Sequence, residues 1–391
     1  MKFDFDIPVN RRGSGSYKWD SPAGAAREDF LPMWVADMDF RTAPCVIDAL
    51  ERRVCHGVFG YTAVGSDYYD ALTSWFSRRH GWNIDSHGVI YTSGVVPAIS
   101  AIIKALVPRG GGVIVMTPVY NCFFSSIRNN GCRTVESLLI DTGKGYEIDF
   151  DDLELRAADE DVAMILLCNP HNPGGRVWTR EELEKIDDIA TRHDLFVVSD
   201  EIHCELTFPR EEYIPYSTLG ERARGHSVSC VSPSKAFNTA GLQIANIVTH
   251  DPAIAARIDR AINDNEVCDV NPFGVAGLIA AYNEGEAWLE ALKRYLFENY
   301  AYLCRFFAGN LPAFSVMPMQ ATYLAWIDCS GSGMAGDEVA RRLLDESGLM
   351  VSAGMTYGEA GKNFVRLNFA CPRTVLADAL ERFKIAFKTI G

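Results

Sequence analysis

Between residues 67 and 250 the chain alternates two kinds of apolar pattern, and that alternation limits the folds open to it. "DYYDALTSWFSRRHG" (67–81) sets Ala71, Leu72, Trp75 and Phe76 at helical spacing and stops at Gly81. Strand-like runs then recur: "GVIYTSG", "GGVIVMTP", "RTVESLLI", "VAMILLCNP", "LFVVSDEIH", "HSVSCVSPS" and "LQIANIVTH". Between them lie the helical stretches "VPAISAIIKALV", "CFFSSIRNNG" and "TREELEKIDDIATRHD", the last with a capping box at Thr179 and Glu182. "VAMILLCNP" is apolar almost throughout, as a strand covered on both faces must be. Strand alternating with helix predicts an α/β fold with a mostly parallel sheet and helices on both faces.

The rest of the chain reads differently. A long helical run from Glu286 to Phe307 precedes "ATYLAWIDC", a helix near Ala335–Glu346, the strand "FVRLNFACP" and a last helix. This predicts a smaller α+β domain over 286–391, joined by an N-terminal segment (1–45), beside a large domain over 46–285. At 391 residues the chain has room for two domains.

The net charge of −14 comes without a cluster of Lys or Arg, which argues against nucleic acid or an anionic membrane as partner. No apolar run approaches the ~20 residues that span a bilayer, and the opening residues lack a signal peptide's apolar stretch. Eleven scattered cysteines, an odd count with no CxxC, fit reduced thiols in a cytoplasmic protein.

In open parallel sheets ligands bind beyond the carboxyl ends of the strands, and several of those ends turn polar here. "YTSGVV" leaves a strand and enters a helix, so the amides of Val95 and Val96 form a candidate anion site. "LLCNPHNPGG" holds Asn169, His171 and Asn172 between prolines and glycines, which is either a plain polar turn or a binding loop. In "VVSDEIHCE", strand alternation would put Glu201, His203 and Glu205 on one side and Asp200 on the other. Carboxylates and an imidazole could bind metal, but no HExxH or Cys/His spacing accompanies them, so no metal is expected. Asp200 follows an apolar run, so it should be buried and need a cation.

Lys235 stands alone in "VSCVSPSKAFNTAG", among small and apolar residues. Ser232 and Lys235 match S-x-x-K, yet the S-D-N and K-T-G partners of that serine-nucleophile motif are missing. The other reading is a desolvated lysine whose neutral amine condenses with an aldehyde. Ser232, Ser234 and the Val95–Val96 turn would hold a phosphate on that aldehyde. Asp200 would keep a pyridine nitrogen protonated, so that the ring acts as an electron sink. Asn172 would donate to a phenolate oxygen, and Tyr120 in "TPVYN" would stack on the ring. These roles together describe pyridoxal 5′-phosphate.

"NPHNPGG", "SDEIH" and "SPSKAFNTAGL", in that order, resemble the motifs of fold-type I pyridoxal-phosphate enzymes of the aminotransferase class I/II superfamily. "LPMWVADMDFRTAP", "HGVFGYT", "SDEIHCEL" and "FVRLNFACPR" are similar to the MalY/PatB-type cystathionine β-lyases within it. The resemblance implies a PLP-dependent transferase-like fold with a seven-stranded sheet in the large domain. It also implies α,β-elimination from L-cystathionine or another cysteine S-conjugate, giving a thiol, pyruvate and ammonia. It implies a homodimer in which Tyr61 reaches the cofactor phosphate of the partner subunit. Arg366 would hold the substrate carboxylate, with the backbone at Ala36 over it and Asn172 beside it. His203 stands where aminotransferases usually carry tyrosine, among the cofactor-binding residues, and Gln243 where many carry arginine. An aminotransferase of neutral or aromatic amino acids is the alternative, and a binding protein without catalysis the third.

Overall fold

The computed structural model describes residues 3–388. All seven apolar runs enter one sheet: β1 (Val89–Thr92), β2 (Gly112–Thr117), β3 (Arg133–Leu138), β4 (Val162–Cys168), β5 (Phe196–Asp200), β6 (Ser227–Val231) and β7 (Ala245–Val248). Their order across the sheet is β1-β7-β6-β5-β4-β2-β3. Only β7 runs against its neighbours, β1 and β6; the other pairings are parallel. Six strands therefore direct their carboxyl ends to the same edge. The middle strands are buried almost throughout, whereas β3, at the rim, alternates. This is the burial expected when helices cover both faces.

Local chemistry sets the helix boundaries. α1 (Ser66–His80) buries Tyr68, Ala71, Leu72, Trp75 and Phe76 and stops where Gly81 turns left-handed at φ +62°. α2 (Val95–Leu106) accommodates Pro97 in its first turn, and α3 (Asn121–Asn129) follows β2. α4 (Arg180–Arg192) opens on the expected capping box: the Glu182 amide donates to Thr179 Oγ1 at 3.2 Å, and the Thr179 amide to Glu182 Oε2 at 2.7 Å.

β5 ends earlier than the sequence reading implies. The Asp200 carboxylate captures the Ile202 amide at 3.1 Å, and turns closed by Glu201 and His203 carbonyls follow. Strand alternation therefore does not extend over Glu201–Glu205, and those side chains do not share one side.

After the helix α5 (Glu286–Asn310), a four-stranded antiparallel sheet forms from β8 (Ser315–Val316), β9 (Leu324–Asp328), β10 (Ser352–Ala353) and β11 (Phe364–Asn368), in the order β8-β9-β11-β10. The N-terminal pair Leu31–Pro32 runs parallel to Leu349–Met350, so the start of the chain attaches beside this sheet. All eleven cysteines are free thiols. Among the described residues no helix is long and apolar enough to cross a membrane.

Candidate active site

The carboxyl ends of β1, β4, β5 and β6 surround one cavity, and Asp200, Lys235, Asn172, His203, Tyr120 and the Val95–Val96 turn all open onto it. At its floor Asp200 ends β5, paired in register with Cys168 on β4 and Cys230 on β6. The carboxylate is buried, and the Ile202 amide is its one hydrogen-bond donor. Burial raises its pKa to about 7; the Ile202 amide and the nearby Lys235 oppose the rise. A carboxylate in this position gains from any cation that enters the cavity beside it.

Lys235 follows β6 after the short loop Ser232-Pro233-Ser234. Its Nζ donates to the Ala36 carbonyl at 2.7 Å. Desolvation, and then the guanidinium of Arg366, lower the amine to about 8, against the pull of Asp37 and Asp200. About a tenth is therefore unprotonated at pH 7, far more than for an ordinary lysine, and it is this form that a nucleophile or base requires.

The α2 N-terminus forms part of the cavity's lining. No side chain caps it at Gly94, so the first amides of this twelve-residue helix stay available. Ser93, Ser234 and Gln243 line the same cavity. Ser232, expected as a phosphate donor, does not reach the cavity: its hydroxyl donates to the Ile244 carbonyl at 2.7 Å and accepts the Ser234 amide at 3.1 Å. It shapes the loop that presents Ser234.

Arg366, from β11, does not itself line the cavity but binds Asn172, which does: it donates to Asn172 Oδ1 at 3.1 Å and to the Trp34 carbonyl at 2.9 Å, while its Nε has no partner. With the oxygen of Asn172 taken, its Nδ2 is the donor left for the cavity. The guanidinium also lies 4.8 Å from the centre of the Tyr357 ring. His203 is buried with Nδ1 unpartnered. Burial, together with the charges on Lys235 and Arg366, holds its pKa down near 3, so the imidazole is neutral. Tyr120 lines the cavity half-buried, and desolvation raises its hydroxyl pKa. Tyr61 lies apart from all of these, 96% exposed.

The neighbouring acids serve other purposes. Glu201 accepts from Ser199, Tyr213 and the Tyr216 amide at 2.6–2.9 Å. Glu205 accepts from Trp75, Arg79 and His80 at 2.7–2.8 Å. His80, Cys204 and Glu205 cluster as metal ligands would, but Arg79 already pairs with that carboxylate. Sequence reasoning missed Ser93 and Cys168, which line the cavity, and Tyr323, whose hydroxyl donates to the carbonyl of the lining residue Ala36. Only Ser93 carried a signal, as a hydroxyl next to the "SGVV" turn.

Comparison with known proteins places these features in context. Residues 28–383 match the family model "Aminotransferase class I and II". The chain is 37% identical over 384 residues to cystathionine beta-lyase PatB of Bacillus subtilis, covering 98% of this chain and 99% of that one. It is 35% identical to protein MalY of Escherichia coli, covering 96% of each. Among solved structures, cystalysin from Treponema denticola, which contains a pyridoxal 5′-phosphate cofactor, superposes with a TM-score of 0.97 at 32% identity over the whole of both chains.

Proposed function

The chain belongs to the aminotransferase class I and II family, and from that premise we propose that it is a pyridoxal 5′-phosphate-dependent carbon–sulfur β-lyase acting on L-cystathionine and other cysteine S-conjugates. One observation carries the reading: Lys235 and the buried, cation-seeking Asp200 face each other across one cavity whose end wall is an uncapped helix N-terminus. That donor set fits an aromatic aldehyde bearing a ring nitrogen and a phosphate. Asp200 would meet the nitrogen, the α2 amides with Ser93 and Ser234 would hold the phosphate, and the Asn172 amide would donate to the phenolic oxygen. Full-length similarity to proteins named cystathionine beta-lyase supports elimination over transamination.

The cofactor, when bound, supplies an electron sink for the pair released at the substrate Cα. The protein's residues do the rest. Arg366 holds the substrate carboxylate as a bidentate pair, with the backbone at Ala36 on its other side. Lys235, lowered to about 8, takes the Cα proton as general base. Neutral His203 places no further positive charge beside the amine. A thiolate is the natural group to depart, since its conjugate acid has a pKa of ~8.5. The three-carbon remainder hydrolyses to pyruvate and ammonia.

The active unit in this reading is a cytoplasmic homodimer. Tyr61, exposed on one chain beside exposed Val58 and Phe59, completes the phosphate site of the other. Residues 46–285 form the cofactor-binding domain; 286–391, with 1–45, form the smaller one that brings Arg366. Purified protein given L-cystathionine without any keto acid should release thiol and pyruvate in equal amounts. Turnover only when a keto acid is added, with no thiol, would make it an aminotransferase instead.

A further inference from the structure

Tyr323 is fully buried, and its hydroxyl donates to the Ala36 carbonyl at 3.0 Å. The same oxygen accepts the Lys235 amine at 2.7 Å. One carbonyl thus serves two donors, using both lone pairs. Its neighbours along the chain are pinned as well. Asn368 Nδ2 donates to the carbonyls of Val35 and Asp37, each at 2.6 Å, and Arg366 donates to that of Trp34. Four successive carbonyls are therefore held by side chains from the smaller sheet and its edge, and the one at Ala36 is shared with the amine.

The backbone that delivers Tyr323 is unusual. Thr322 has φ +74° and is completely buried. A β-branched residue rarely adopts this left-handed conformation, which persists only where its surroundings impose it. Here the Thr322 amide donates to the Leu206 carbonyl at 2.9 Å, and its hydroxyl accepts the Leu324 amide at 3.2 Å. The turn they fix precedes β9 and brings the Tyr323 hydroxyl to Ala36.

We propose that Tyr323 is a positioning residue for the amine: its hydroxyl occupies one lone pair of the Ala36 carbonyl, fixing where that oxygen stands and weakening its hold on Lys235. The inference rests on the reading of Lys235 as the base. A carbonyl engaged by one donor is a poorer acceptor for a second, so the amine leaves it more readily for the cavity. The charged and titratable groups facing Lys235 are Arg366 from β11, Asp37 from the N-terminal segment, Asp200 at the end of β5, Cys122 on α3 and His203 from the turn after β5. Removing one neutral hydroxyl leaves all of them in place, so a change in the titration of Lys235 reports on the shared carbonyl.

The test uses the full chain freed of cofactor with hydroxylamine. Acylation of Lys235 by acetic anhydride is followed against pH by peptide mass spectrometry, giving the titration of that one amine. In Tyr323→Phe the amine should titrate higher, leaving about threefold less free base at pH 7, a shift of roughly half a pKa unit. Incorporating 3-fluorotyrosine at 323, a stronger donor of nearly the same size, should move it the other way and decides the matter if the phenylalanine variant folds poorly. In the loaded enzyme the acid limb of kcat against pH should follow the same displacements. Identical Lys235 titration in both variants and the parent, with only thermal stability altered, would overturn the proposal and leave Tyr323 a packing residue. Labelling needs neither cofactor nor substrate, so its failure is separable from failure of the lyase reading, which thiol and pyruvate release tests.

Discussion

Arg366 and Asn172 lie 194 positions apart, yet the guanidinium donates to the amide oxygen at 3.1 Å. The contact ties β11 of the smaller sheet to the loop after β4 of the larger one. It also orients both partners: Asn172 is left with its donor end free, and the Arg366 guanidinium is held in one position.

Arg366→Lys should therefore cost more than a charge-conserving change suggests. Lysine cannot reproduce the planar fork, nor hold Asn172 and the Trp34 carbonyl at once. We expect KM for L-cystathionine to rise by about 10- to 100-fold, in line with ~1.5–3 kcal/mol for charge-assisted hydrogen bonds, with a smaller loss in kcat. Steady-state kinetics measures this; an unchanged KM would remove Arg366 from substrate binding.

Lys235→Ala should bind cofactor without a covalent link. The purified parent should be yellow and bleach with borohydride, retaining the label on the peptide that contains Lys235. The variant should lose cofactor on denaturation after the same treatment, and lose more than about a thousandfold in elimination rate, as when a nucleophile or base is deleted. A variant that keeps a borohydride-fixed label points to a different amine.

Asp200 makes a prediction about the cofactor-free protein. Its carboxyl is raised to about 7 by burial, whereas in the unfolded chain it titrates near 4. Between those values the folded state binds more protons than the unfolded one, so stability should fall as pH rises from about 4 to 7. The loss through this group is a few kcal/mol at most. Asp200→Asn should flatten that slope and raise the melting temperature of the cofactor-free protein at pH 8, while weakening cofactor binding. Denaturation followed at several pH values, with and without pyridoxal 5′-phosphate, reads both effects. A slope that survives the substitution would assign it to another group.

Tyr61 is 96% exposed, so Tyr61→Phe should leave the stability of the single chain within about 0.5 kcal/mol, as for surface substitutions in general. If the hydroxyl completes the partner's phosphate site, cofactor affinity should still fall, by about 10-fold for one lost hydrogen bond to a charged group. Equilibrium dialysis of the cofactor checks this; undiminished affinity would take Tyr61 out of the phosphate site.

Much of the larger sheet was legible because its strands are covered on both faces and so read as near-continuous apolar runs. Asp200 and Lys235 stood out for the same reason, as charged groups at or just beyond the ends of such runs. The reversal of β7 was not legible, since an apolar pattern carries no direction. Nor was the end of β5, decided by one carboxylate capturing one amide at Asp200 and Ile202. Ser232 was misplaced because a hydroxyl near a loop can turn inward to a backbone carbonyl as easily as outward to an anion. Tyr323 looked like an ordinary strand aromatic, because its partner at Ala36 is 287 positions away.

The pairing of Leu31–Pro32 with Leu349–Met350 has a practical consequence. Anyone trimming this molecule toward a minimal catalyst would see the opening forty residues as a dispensable strap on the periphery. They also deliver the oxygen on which the Lys235 nitrogen rests, so shortening the front of the chain should disarm the enzyme while its largest sheet still folds.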